Sequence, residues 1–462
     1  MGVHEGEFVE HMNQLIAKYF VYYPIQFVRG YQVGKYLHQA IPMQYKSTKD
    51  LLLIRDRKIN ALINHAYEHT TYYHEIFNKR SINPREFNGF TDLEILPVLS
   101  KHDILSNEKD LVEHTSNNQK LYTRKTAGST GMTLHFQKEA AALAMNDAIM
   151  WRCYKWYGID VGDRHAMFWG VPVTKAARFR ESVKDAVLNR IRISAFDISA
   201  EACLRQLERM ERFRPVYFYG YTSAIYAFCR ALKDKGRDLK KLDLKAVICT
   251  AEKMYDYHRE LLEEMFDCPV VDEYGSTENG IIAFQCRHGN MHMMADHLCI
   301  EFLDEQGRRV RPGEPGHIVI TDLVSYHMPL IRYDIGDIGR YTDKACTCGL
   351  SLPLMDIVEG RKEDFIRLKD GRMIHAAYLC YTLKDDSVHE FKMYQKALDR
   401  LLVQIVKSPS FGPRSEALLR KKLKTALSAE VDMDFVYVDT IPTPNNDTRY
   451  RIRMGRIIHA IR

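Results

Sequence analysis

Between about residues 160 and 280, short apolar runs alternate with amphipathic stretches: RHAMFWGVPV, VYFYGYTSAIYAFCRALKDKG, LKAVICTAEKM, DYHRELLEEMF and CPVVDEYGSTE. Each apolar run is too short for a buried helix and is followed by a turn or a 3.6-residue period, which reads as strand, turn, helix. Repetition of that order forces a parallel sheet, because each intervening helix returns the chain to the end it left. Ligands of such sheets lie at the carboxyl ends of the strands. The fold class expected is therefore α/β, and the residues just past each apolar run are the ones to inspect.

Other segments flank this core. EAAALAMNDAIMWRCYKWYG reads as a strong helix closed by Gly158, and LPVLSKHDIL as an extended approach, an N-cap at Ser100 and a short helix. Beyond residue 295 the texture changes to hairpins, with turns at Gly307 and at Pro312-Gly313. A last segment of about 100 residues carries its own helix, RSEALLRKKLKTALSAE, and strand, MDFVYVDTI, enough for a small α+β domain. The expected domains are 1–360, which includes a helical N-terminal extension over 1–50, and 361–462. In that extension FVEHMNQLIAKYFVYYPIQFVRGYQVGKYL is an aromatic-rich stripe with helical spacing, interrupted by Pro24 and Gly30. Core, homodimer contact and membrane-surface docking are the readings open for it, the last being the minority one.

Charge and targeting signals narrow the function. Lys plus Arg exceed Asp plus Glu by 6, a mild excess that suits an anionic substrate and lacks the footprint of a nucleic-acid binder. The N-terminus begins acidic without a secretory pattern, Gly6 stands where a myristoylation signal wants Ser or Thr, and no apolar run approaches a membrane span. A cytoplasmic protein with no integral membrane segment is expected. Ten cysteines are too sparse for a disulfide framework.

At 126–133 the chain reads TAGSTGMT, with Thr126, Gly128, Ser129, Thr130 and Gly131 after the strand-like LYTRK. Glycines let backbone amides turn toward an anion and the hydroxyls donate to its oxygens; a plain surface turn would use the same residues. Three further phrases follow in order: DEYGSTENG with Tyr274, Gly275, Thr277 and Glu278; MPLIRYDIGDIGR with Asp334 and Asp337 in a glycine-spaced turn; and EGRKEDFI. Together with AYEHTTYYHEIF, LPVLSKHD and YGYTSAIY, this order resembles the adenylate-forming superfamily of acyl-CoA synthetases. The resemblance is closest to the phenylacetate-CoA ligase family, with its capsule-biosynthesis and deazaflavin-adenylylating relatives, and runs from about residue 60 to the end.

The resemblance implies a large domain with parallel sheets and a hairpin or barrel-like part, followed by a small mobile α+β domain. It implies an enzyme that condenses a small carboxylic acid with ATP to give acyl-AMP and pyrophosphate, then passes the acyl group to CoA or another nucleophile. The residues of the 126–131 loop would cradle phosphates, Glu278 would hold Mg2+ with Thr277 at the α-phosphate, and Tyr274 beside Gly275 would stack adenine. Ala251 and Glu252 would lie at the adenine edge, Asp337 would accept both ribose hydroxyls, and Arg361 would bond the ribose or the α-phosphate from the other side. Asp364 would be the hinge on which the small domain turns. Phe168, Trp169, Tyr217, Tyr219 and Tyr221 would line the acyl pocket and favour an aryl or otherwise apolar acid, though core packing explains such aromatics equally well.

Cys286, His288 and His292 in CRHGNMH, with Cys346 and Cys348 in CTCG, are ligand types that suit tetrahedral zinc. The set Cys286, His292, Cys346 and Cys348 looks like a structural Zn2+ site present in some family members, with His288 as substitute; buried free thiols are the alternative. The sequence also departs from the family. Arg449 stands where a lysine is usual, a planar fork in place of a point donor, and Met132, Thr133 and Leu134 replace the usual proline and basic residue of the phosphate loop. These departures keep two rivals open: an adenylyltransferase that stops at the AMP-linked product, and a non-catalytic nucleotide-binding protein.

Overall fold

The computed structural model describes residues 12–114, 120–125, 134–170, 175–194, 199–359, 365–369, 373–375, 379, 387–427 and 431–439. It divides the chain into one unit of Met1–Arg124 with Phe136–Arg361 and a second of Lys125–His135 with Lys362–Arg462.

The strands β1 (Leu121–Lys125) and β2 (His135–Glu139), all but their end residues Lys125 and His135 in the first unit, form a two-stranded sheet. The repeats follow as β3 (His165–Trp169), β4 (Arg190–Ser194), β5 (Tyr217–Tyr221), β6 (Ala246–Thr250) and β7 (Val270–Ser276), parallel in the order β4-β3-β5-β6-β7. The strand β6, AVICT, is buried along its whole length, as a central strand covered on both faces must be. One face carries Phe218, Val247 and Cys249 onto Phe228 and Leu262 of the helices Thr222–Lys233 and Asp256–Met265. The other carries Tyr217, Ile248 and Val271 into a cluster with Ala148, Ile149 and Tyr154 of the helix Ala140–Lys155.

Next come β8 (Gly280–Gln285), β9 (Met291–Met293), β10 (Leu298–Leu303), β11 (Gly316–Asp322), β12 (Tyr333–Thr342) and β13 (Leu354–Glu359). They continue the same sheet beyond β7 in the order β8-β9-β13-β12-β11-β10, antiparallel throughout, giving 11 strands. The hairpins read from the sequence are thus present as an extension of the parallel core.

Three ion pairs tie this unit together from inside: Lys138 to Asp322 at 2.6 Å, Arg152 to Asp296 at 2.7 Å and Arg332 to Glu301 at 3.0 Å, all buried. In the second unit β14 (Phe365–Arg367) pairs with β15 (Met373–His375). There β16 (Val388–Ala397) pairs antiparallel with β17 (Arg400–Lys407), and β18 (Asp432–Tyr437) runs parallel to β17. The helix Pro413–Ala426 contributes Leu419 and Leu423 to a core with Leu401, Val403 and Ile405, an α+β arrangement.

Candidate active site

The phrase YGSTENG folds as a tight return from β7 into β8. A Cβ on Gly275 would fall 2.6 Å from the Gly280 carbonyl oxygen, and Gly280 itself has φ +69, so the close approach needs glycine at both places. Between them Ser276 Oγ accepts from the backbone N–H of Asn279 at 3.0 Å and from its side-chain amide at 3.1 Å. This leaves Thr277 exposed and Glu278 buried.

Two hydrogen bonds join this turn to β12. Tyr333 donates its hydroxyl to Glu278 Oε1 at 3.3 Å, and Tyr274 donates to Asp337 Oδ2 at 2.9 Å. Tyr274, Glu278 and Asp337, up to 63 positions apart in sequence, therefore share one neighbourhood. Asp334 and Asp337 were expected in a turn; they lie inside β12, where Gly336 at φ +83 lets the strand kink and Asp334 Oδ1 accepts from the Gly336 N–H at 2.8 Å. Burial pushes the Asp334 carboxyl up, partly opposed by that bond.

The strand is held from an early segment. Leu99 N–H donates to the Arg332 carbonyl at 2.8 Å and Asp334 N–H returns to the Leu99 carbonyl at 3.0 Å. Arg332, at φ +54, places its guanidinium on both Glu301 oxygens at 3.0 and 3.2 Å and on the Leu96 carbonyl at 2.6 Å. The phrases LPVLSKHD and RYDIGD, distant in sequence, are thus one structural element.

Ala251 follows β6 at φ +66, an uncommon conformation for a residue with a Cβ. The Glu252 carboxylate accepts from the Ser223 N–H at 2.8 Å, at the start of the helix Thr222–Lys233. On the aromatic side, Trp169 stacks on Tyr221, with ring centres 4.0 Å apart and planes at 16°, and lies parallel to Tyr219 at 6.0 Å. Phe168 departs from the expectation. Strand alternation sends it to the opposite face, where it packs at 1% exposure on Phe218 and Phe228. Tyr217 is likewise core, stacked on His165.

Sequence reasoning missed Glu273, which shares the inner face of β7 with Val271. It is buried and accepts from the hydroxyls of Tyr154 at 3.1 Å and Tyr219 at 3.4 Å. Burial outweighs these bonds and raises its pKa to about 7. The available signal was an acid in the apolar phase of VVDEY. A carboxyl with a raised folded pKa keeps its proton in the folded chain after the unfolded chain has lost it. Its contribution is full below the unfolded value of 4.5 and is lost as pH rises toward 7. That loss is worth about 3 kcal/mol. Glu273→Gln is expected to flatten the decline of Tm across this window; thermal melts between about pH 5 and 8 measure it, and an unchanged slope would clear Glu273 of the effect.

The cysteine and histidine phrases also meet. The ligand atoms of Cys286, His292, Cys346 and Cys348 all lie within 4.8 Å of one another. His292 Nδ1 bonds the Leu352 carbonyl at 2.8 Å, so it carries the proton there and Nε2 faces Cys348 Sγ at 3.2 Å. His288 is exposed and bonded to Thr347, apart from the cluster. The four can hold a tetrahedral metal, and His292 sits in β9 opposite Leu354 of β13. Thr126, Gly128, Ser129, Thr130, Gly131, Arg361, Asp364 and Arg449 lie outside the described residues.

Comparison with known proteins gives matches along most of the chain. Residues 117–322 match the family model of AMP-binding enzymes, and residues 366–452 match that of the CapK C-terminal domain. Protein CapK of Staphylococcus aureus is 22% identical over 418 residues, 88% of this chain and 90% of that protein. The phenylacetate-coenzyme A ligase of Thermus thermophilus is 22% identical over 349 residues, 69% of this chain and 72% of that protein. Among solved structures, 2-hydroxyisobutyryl-CoA ligase in complex with 2-HIB-AMP and CoA in the thioesterification state has the same fold. It superposes with a TM-score of 0.60 at 19% identity, covering 88% of this chain and 90% of that one. No helix among the described residues is long and apolar enough to cross a membrane.

Proposed function

We propose that this chain, a member of the adenylate-forming (acyl-CoA synthetase) superfamily on its phenylacetate-CoA ligase-like side, joins a small carboxylic acid to AMP and then to a thiol such as CoA. The observation that carries the reading is the pair of bonds that brings Glu278 and Tyr274 of the β7–β8 turn onto Tyr333 and Asp337 of β12. They lie past the end of the parallel strands, where such a fold receives ligands.

In the first step a carboxylate oxygen of the acid forms a bond to the α-phosphorus while the bond to pyrophosphate breaks. In the second a thiolate sulfur attacks the acyl carbon and AMP departs. Both steps bring anions together, so positioned charge and hydrogen-bond donors provide most of the acceleration. Asp337 is suited to accept from ribose hydroxyls while Tyr274 fixes its orientation, and Tyr274 offers a ring for adenine. Trp169, Tyr219 and Tyr221 form a flat wall for an aryl or apolar acyl group.

Magnesium, when bound, would neutralise phosphate charge. Glu278 supplies a carboxylate for it. The side-chain oxygens of Asn146, beside Gly280, and of Asn279, next to Glu278 in sequence, are buried with no hydrogen-bond partner among the described residues and are oxygen donors of the type magnesium would take. Zinc suits the Cys286, His292, Cys346 and Cys348 cluster, as a structural site apart from the chemistry.

Pyrophosphate exchange measured over a panel of acids, with and without CoA, tests the assignment. Exchange followed by thioester supports the ligase, exchange without transfer to any thiol moves the chain to the adenylyltransferases, and no exchange with any acid overturns the activity. For zinc, purified protein is expected to carry close to one equivalent per chain. Removing it with a strong chelator is expected to lower Tm by at least about 5 °C. Less than half an equivalent after gentle purification, with no response to chelator, would leave four ordinary thiol and imidazole groups.

A further inference from the structure

The helical run made of Gln14–Ile16, Ala17–Tyr22 and Tyr23–Val28 faces the wrong way for a core helix. Its inward residues are Ala17, Tyr22 and Gln26, two of them polar, with Tyr22 accepting from the Trp151 indole at 2.9 Å. Its outward residues are Leu15, Ile16, Tyr19, Phe20, Phe27 and Val28, each at least half exposed, Phe20 at 77%. The helix Lys175–Val187 packs against the Ala17–Tyr22 turn and adds Phe179 and Val183, also at least half exposed. An apolar surface assembled from two elements in this way is larger than scattered exposed side chains would make.

Its charge is one-sided. From residue 12 to residue 49 the sequence holds Lys18, Arg29, Lys35, Lys46 and Lys49 and no Asp or Glu. At the end of the run the Lys120 ammonium sits on the Val28 carbonyl at 3.0 Å, and Arg29 lies over the Tyr31 ring. Of the nearby acids among the described residues, Asp160 pairs with Lys18 and Lys155 and Glu181 and Asp185 with Arg192, while Asp147 is half-buried behind the run beside Arg29.

We propose that this face docks the protein peripherally on an anionic lipid bilayer, the run lying in the headgroup plane with Phe20 and Phe27 inserted and Arg29 and Lys120 on lipid phosphates. An amphipathic helix with aromatic and aliphatic residues on one side and a basic rim has the chemistry of such a surface anchor. A second copy of the chain is the poorer occupant, because a two-fold contact sets the patch against itself and brings the basic rim onto its own image. The proposal is independent of the catalytic reading.

Sedimentation of the full chain with vesicles of phosphatidylcholine, alone or mixed with phosphatidylglycerol, tests it. Binding is expected to favour the phosphatidylglycerol vesicles by on the order of tenfold and to weaken as salt rises. F20E with F27E is expected to abolish it, F20L with F27L to retain it, and K120E to weaken it, with melting temperature unchanged. Should the double glutamate variant melt early, F27S alone carries the same test, since Phe27 is 72% exposed. Three results overturn the proposal: no binding, or equal binding, to the two vesicle types; a dimer in solution that F20E with F27E dissociates, without vesicle binding; or binding seen only after residues 2–11 are removed, which would assign the face to the chain's own N-terminus.

Discussion

Glu278→Ala is expected to abolish pyrophosphate exchange, by on the order of a thousandfold or more in kcat, while leaving the fold intact. The carboxylate is buried in the turn and is bonded to Tyr333, itself part of the strand that carries Asp337. On the proposed reading its loss removes an oxygen ligand of the magnesium ion that would offset phosphate charge, which acts on the barrier more than on substrate binding. The structural cost is small, one hydrogen bond of about 1 kcal/mol, so a melt of the variant should stay near that of the parent. Glu278→Gln separates the two contributions, because it can still accept from Tyr333 and has no charge. Exchange at the parent rate in Glu278→Gln would mean that Glu278 only shapes the turn.

The second large effect is on stability. Asp296→Ala is expected to destabilise the chain by about 3–5 kcal/mol. Arg152 is fully buried on the helix Ala140–Lys155, and both Asp296 oxygens accept from it, at 2.7 and 3.0 Å. The Arg152 guanidinium holds the Asp296 carboxyl well below the usual range even though burial acts the other way and strongly. Deleting the carboxylate leaves a guanidinium in the interior with the Ala40 carbonyl as the principal remaining oxygen acceptor among the described residues. Urea unfolding of Asp296→Ala, and of Asp296→Ala combined with Arg152→Met, measures this. The double variant should recover part of the loss, since it no longer buries a lone charge. A loss below about 1 kcal/mol in the single variant would show that the pair holds nothing in place.

What could be read from the sequence had local causes. Ser100 and Asp103 form a reciprocal cap three residues apart, so the short helix Lys101–Ser106 was visible in LSKHD. The strand and helix at Tyr217–Lys233 announced themselves by a change of period from two to 3.6. The meeting of Cys286, His292, Cys346 and Cys348 was legible because thiols and imidazoles are few and chemically distinctive. What escaped depended on partners far along the chain or on which way a face points. Nothing local in AMNDAIMWRCYKW says that Arg152 will meet a carboxylate 144 positions later. Periodicity placed the aromatic stripe on one side of a helix but could not say that the side was outward, because inside and outside give the same spacing. Alternation along HAMFW could have separated Phe168 from Trp169, and reading the aromatics as one group lost that distinction.

The attachment of Leu96 and Leu99 to Arg332 and Asp334 also bears on how the enzyme is born. A ribosome delivers the first two residues long before the last two, so their backbone groups must wait, hydrated, while the parallel core condenses. Only when Arg332 has emerged can Tyr333 and Asp337 be locked beside the β7–β8 turn. A nascent chain stalled just short of that point would lack the Tyr333–Glu278 and Tyr274–Asp337 bonds, so the arrangement on which the proposed nucleotide site rests is completed late in translation.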